Sequence, residues 1–139
     1  MKTSKQGLDY YPVDVNFLSD YPVQVLMKYC GLPAVPVLLE LMSRIYRKEG
    51  YFVDYDEELV FIIAKFLSLP EEDVDAIIHK AIDCKIFDKT MFETHQILTS
   101  KAIQEHFIFA VKRRKESKVN SEYWLIDNEI DHKCLHDVE

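Results

Sequence analysis

DEELVFIIAKFLSLPEEDVDAIIHKAIDCKIFDKTMFETHQILTS, residues 56–100, decides the fold. In its first part, residues 56–68, Leu59, Ile62, Ile63, Phe66 and Leu67 recur at three and four residues and line one face of a helix. Asp54 with Glu57 three positions on, or Asp56 itself, supplies the N-cap signal. A break follows at Ser68-Leu69-Pro70. Proline is tolerated in a first helical turn, and Ser68 with Glu71 spells a capping box. Val74, Ile77, Ile78, Ala81 and Ile82 then form a second apolar stripe that ends near Cys84. A link this short predicts crossed helices, as in a helix-turn-helix. Ile86-Phe87-Asp88 and Ile97-Leu98-Thr99 are β-prone runs flanking residues 89–96, and they suit a hairpin with a long loop. Helix, turn, helix, strand, loop, strand is the order of a winged helix-turn-helix. The expectation is a mainly α fold with a small β-sheet.

Working outward, residues 7–18 (GLDYYPVDVNFL) are aromatic-rich. Pro12 argues against an early helix, so this stretch reads as an extended N-terminal arm packed on the core. Asp20-Tyr21-Pro22 opens a helix that Val25, Leu26 and Tyr29 carry to Gly31. Residues 34–48 form another, with Leu38, Leu41, Met42, Ile45 and Tyr46 on one face and Gly50 as its terminator. Residues 51–55 are β-prone and fit the third strand of a small sheet. A long C-terminal helix begins near Ser100 and buries Ile103, Phe107, Ala110 and Val111. Residues 1–118 are thus expected to form the winged-helix domain, and residues 119–139 an acidic tail or docking segment.

With 139 residues, nearly half of them apolar or aromatic, the chain can bury one real core. No secretory signal is evident. The longest apolar run, residues 34–42, contains Pro36 and Glu40 and is far too short to span a bilayer. The three cysteines lack metal-like spacing and point to reduced thiols in a cytoplasm, so cytoplasmic localisation is expected.

The net charge of −7 is unevenly spread. Residues 101–118 carry six basic residues (Lys101, Lys112, Arg113, Arg114, Lys115 and Lys118) against two acidic ones, which leaves 11 basic and 22 acidic residues elsewhere. If helical, residues 112–115 point in all directions around the axis, and so must project beyond the core. Such a spur can neutralise phosphates without regard to base sequence. Stabilisation of a helix C-terminus, or pairing with the acidic body of a neighbour, competes with that use. Lys89 and Lys101, with Lys85, flank the expected wing and offer further phosphate contacts.

The expected recognition helix, residues 70–84, opposes base readout. Its outer face carries Glu72, Asp73, His79, Lys80 and Asp83, with Asp75 at the edge, and offers no arginine for guanine. First-turn carboxylates are explained by the helix dipole alone.

Three segments carry a resemblance: GLDYYPVDVNFL, IYRKEGYFVDYDEEL and IFDKTMFETHQILTSKAIQEHF. They resemble the motif blocks of a domain family at the N-terminus of phage replisome organisers and of many uncharacterised Firmicute and Bacteroides proteins. That family is similar to the N-terminal winged-helix domain of the primosomal protein DnaD. The resemblance covers roughly residues 7–118. It implies a winged-helix fold, a role in replication initiation or DNA remodelling, frequent self-association and no catalytic residues. Family members often have Gly and Trp where this chain has residues 34–36 and Tyr55, which implies different local helix packing.

Other chemistries find little support. His132, Cys134 and His136 alternate, so an extended chain would turn them to one side, but a zinc site needs a fourth ligand and an ordered loop. An incidental polar tail is the simpler account. His79, His95 and His106 lack a paired carboxylate or nucleophile at motif spacing, and three glycines form no phosphate loop. No enzyme activity, cofactor or metal is expected. Tyr123, Trp124, Leu125 and Ile126 form an apolar patch that either folds back on the domain or docks a partner, with Trp124 as the anchor. Two functions follow. One is a non-enzymatic, replication-associated DNA-binding module contacting phosphates; the other is an assembly module that joins a replication protein or a second copy of itself without touching DNA.

Overall fold

Asp56 begins the central pair of helices. Its carboxylate accepts from the Leu59 amide at 2.8 Å and caps α3, Glu57–Leu67. After Ser68, Leu69 and Pro70 comes α4, Glu71–Asp83. A computed structural model describes residues 6–114, 117–126 and 135–137. Before this pair stand α1 (Tyr21–Cys30), α2 (Ala34–Arg47) and strand β1 (Val53–Asp54). After it come α5 (Lys89–His95), β2 (Ile97–Leu98), α6 (Lys101–Val111), β3 (Ser117–Val119) and β4 (Leu135–Asp137). The described residues are therefore mainly helical, with β1 and β2 paired antiparallel, Val53 opposite Leu98 and Asp54 opposite Ile97.

Helix α4 packs against α1, α2 and α3. Its stripe Val74, Ile77, Ile78, Ala81 and Ile82 is buried, as the three-and-four spacing requires. Leu38, Leu41 and Ile45 of α2 and Ile63 of α3 meet it in one core, which Tyr51, Phe87 and Phe107 complete. The arm is extended and packed as expected. Leu8 is buried, its amide donates to the Tyr46 carbonyl at 2.7 Å, and Tyr11 stacks on Tyr46 at 4.8 Å.

Five local expectations need correction, one being that Ala110 of α6, expected in the core, is exposed while Gln104 is buried. Ser68 forms no capping box; it sits in the left-handed region at φ 58° and closes α3, while Pro70 occupies the N-cap position of α4 without a side-chain cap. Asp20 stands at the N-cap of α1 but its side chain makes no capping bond. The expected wing loop is a helix: Asp88 caps α5 through the Met91 amide at 2.9 Å, so the local cap prevails over hairpin propensity. Its outer strand reduces to one link, Asp88 N to Thr99 O at 2.7 Å, and residues 51–55 supply the partner for β2. Finally, the C-terminal helix stops at Val111, short of the basic run.

Gly50 allows α2 to end beside α6. Its φ of 97° suits glycine, and a Cβ there would lie 2.2 Å from the Phe107 ring. Among the described residues no helix is long and apolar enough to cross a membrane.

Candidate nucleic-acid interface

Ser100 caps α6 by accepting from the Ile103 amide at 3.1 Å, and the helix runs eleven residues to Val111. Lys112 and Arg113 continue it as an exposed turn. Arg114 turns inward instead. Its guanidinium donates to the Gln6 carbonyl at 3.0 Å and to the Gly7 carbonyl at 2.7 Å, so it fastens the arm. Lys115 lies outside the described residues. Lys118 is exposed on β3.

The arm then brings a second basic stretch to the first. The Gln6 side chain donates to the carbonyls of Glu49 at 3.0 Å and Lys118 at 2.6 Å, and accepts from the Lys118 amide at 3.3 Å. Gly7 presses against the end of α2 so closely that a Cβ would lie 1.9 Å from the Arg47 carbonyl oxygen. The exposed residues Arg47 and Lys48 at the end of α2, the former 4.0 Å from the Glu40 carboxylate, are thereby brought in backbone to the same Gln6-Gly7 segment as Arg114 and Lys118. Sequence reasoning misses Arg47 and Lys48, because a dibasic pair before a glycine reads as an ordinary helix terminus. Nothing local announces that residue 6 will bridge positions 49 and 118.

Lys89 and Lys101 lie elsewhere. With Lys85 they line a cleft of about 1180 Å³ between the arm, α2 and the start of α6, floored by Phe17, Met42 and Tyr46. Lys101 and Lys112 stand at opposite ends of α6, roughly 16 Å apart at 1.5 Å per residue.

The outer face of α4 is anionic, with Glu71, Glu72, Asp73 and Asp83 exposed. Asp75 and His79 are engaged locally. The Tyr55 hydroxyl donates to the Asp75 carboxylate and lies 3.2 Å from His79 Nε2, while Phe92 of α5 packs edge-on to Tyr55 and His79. Burial, followed by the hydrogen bond to Asp75 and its charge, pushes the Tyr55 phenol up to about 12.

Of Tyr123, Trp124, Leu125 and Ile126, all half-buried, the two aromatic residues pack back against the core. Trp124 packs edge-on to Tyr51 at 5.6 Å and Tyr123 edge-on to Phe52 at 4.9 Å. Gln104, fully buried, donates to the Tyr123 carbonyl at 2.8 Å and accepts from the Leu125 amide at 2.7 Å. The ordered core thus runs past residue 118. Of the tail histidines, His136 stands in β4, parallel to β3 and level with Lys118, whereas His132 and Cys134 lie outside the described residues. Burial raises the thiols of Cys30 and Cys84, with Lys80 opposing in both. Among the described residues no group of three or more His, Cys, Asp or Glu is placed to hold a metal.

Residues 10–103 match the family described as Lin1244/Lin1753-like, N-terminal. The chain belongs to this family. A relative in Listeria innocua, named an uncharacterized phage-related protein Lin1244/Lin1753, is 31% identical over 123 residues, which is 88% of this chain and 40% of that protein. The present Lin1244/Lin1753-like chain therefore spans about two fifths of its relative's length. No solved structure matches it. The family match stops short of Lys112, Arg113 and Lys118, so the cationic end of the molecule lies beyond the matched segment.

Proposed function

We propose that this chain is a non-enzymatic, replication-associated DNA-binding module of winged-helix type, similar to the N-terminal domain of DnaD, that grips phosphates without reading bases. The order α2, β1, α3, α4, residues 86–88, α5, β2, with β1 paired to β2, is in keeping with a winged helix whose wing tip is replaced by a short helix. The phage-related name of the Listeria relative is in keeping with a role in replicating a mobile genome.

One observation carries the proposal: two basic stretches distant in sequence converge around Gln6-Gly7 in a protein of net charge −7. Concentrating cations against such a background gives a directed field for a polyanion. The acidic face of α4 repels phosphates and turns the nucleic acid toward that end. Lys89 and Lys101 offer a second contact at the far end of α6.

Fluorescence anisotropy against duplex, single-stranded and forked DNA at several salt concentrations tests this. With four phosphates neutralised, log K falls with log salt at a slope of roughly three to four. Alanine at Lys112 and Arg113 removes most of the binding. Absence of association at about 50 mM salt, or indifference to those alanines, retires the proposal.

A second function, assembly without DNA contact, draws on the arm and the start of α1, where Tyr10, Val15 and Tyr21 are 86%, 98% and 78% exposed.

A further inference from the structure

Phe109 is 77% exposed on a helix whose other long apolar side chains are buried or half-buried. At about 100° per residue, Ile103, Gln104, Phe107 and Val111 fall in one sector of α6, and Phe109 points almost directly away from it. Lys112 and Arg113, three and four residues on, stand exposed in the turn that closes α6, with the Lys112 amide 3.5 Å from the Phe109 carbonyl. Glu105, four residues before, is the acidic neighbour on that face. Single exposed apolar residues are common and need no function. This one is followed within a turn by two exposed cations, Lys112 and Arg113, in a chain of net charge −7.

We propose that the ligand of this face is single-stranded nucleic acid, with a base stacked on the Phe109 ring and its neighbouring phosphates held by Lys112 and Arg113. The proposal rests on the phosphate-binding function above and specifies which form of nucleic acid it serves. A duplex keeps its base faces covered by stacking and offers an exposed ring nothing beyond backbone. A single strand presents both a π-face and phosphates, separated by a distance comparable to one helical turn. Every base has such a face, so stacking needs no arginine aimed at a groove edge, in keeping with the acidic α4.

The test uses the full chain with labelled oligothymidylate, a duplex of equal length, and vesicles rich in anionic phospholipid. Phe109→Ala is expected to weaken oligothymidylate binding by about tenfold or more while leaving duplex affinity within about twofold. Phe109→Tyr restores the single-strand affinity, and Lys112→Ala with Arg113→Ala weakens both nucleic acids. Circular dichroism and melting of the variants establish that they fold, which the exposure of all three side chains favours. Equal loss on both nucleic acids, or no loss on either, overturns the assignment to single strands while leaving phosphate binding intact. A Phe109→Ala defect confined to the vesicles overturns it in favour of a lipid surface. If the native chain binds neither nucleic acid, the phosphate-binding function and this inference fall together.

Discussion

Gln104 shows how much one residue can organise. It is fully buried, bonded to the Thr99 hydroxyl at 3.1 Å as well as to the two backbone groups of Tyr123 and Leu125, so three segments meet on one amide. A buried amide is tolerated only when its donors and acceptors are matched, and leaving partners unmatched costs about 1–3 kcal/mol. Gln104→Ala is therefore expected to destabilise the chain by about 2–3 kcal/mol and to loosen residues 123–126. Because Trp124 is the one tryptophan in the sequence, its emission reports this directly: a red shift in the folded variant is expected, and an unchanged spectrum would refute the role assigned to Gln104. The amphipathic spacing of α6 marks position 104 as core-facing, but a polar residue there gives no hint of its partners. Those are set by a chain segment that returns nineteen and more residues later.

At the level of elements, the junction of β1, α4 and α5 is held by Tyr55, Asp75, His79 and Phe92. The Tyr55 phenol is raised from 10.0 to about 12 in the fold, first by burial and then by Asp75, so the folded state holds its proton more tightly than the unfolded chain. That contribution is fully present below about pH 10 and is lost as the pH rises through about 12. Tyr46 is shifted in the same direction, by burial above all, and adds to the alkaline loss. Melting temperatures measured from pH 9 to 12 should fall more gently for Tyr55→Phe than for the native chain. Identical pH profiles would show that the phenol is not linked to folding. Periodicity makes α3 and α4 legible in the sequence, whereas α5 reads there as a wing loop. A seven-residue helix has too few turns to show a period, and its stabilising features, the Asp88 cap and Gln96 in the left-handed region at φ 55°, are single-residue signals.

Over the whole molecule, charge and apolar exposure are segregated. The cationic end lies where the end of α2, the turn after α6 and strand β3 meet the Gln6-Gly7 backbone, α4 presents carboxylates, the arm exposes Tyr10 and Val15, and the first turn of α1 exposes Tyr21. If assembly rather than DNA contact is the primary role, the arm is the surface to engage, and the chain should form a dimer or larger species at high micromolar concentration. Static light scattering decides this, with Val15→Asp and Tyr21→Ser as controls. A strictly monomeric native chain leaves self-assembly without support. Segregation of this kind cannot be read from net charge, because −7 is equally compatible with charges interspersed over the surface.

By itself the sequence determined the helical core, since an apolar period of three to four residues and a cap at Asp56 or Ser100 act within a few residues of chain. It also marked residues 101–118 as the basic exception in an acidic protein. Only the tertiary structure decided that Arg114 faces inward to hold Gln6 and Gly7, that the end of α2 and residue 118 meet at Gln6, and that Trp124 packs against the core. Those outcomes depend on contacts between residues a hundred or more positions apart, or between a returning segment and a distant helix. No local pattern encodes them, because hydrogen bonding and burial select among surfaces that exist only once the chain has folded.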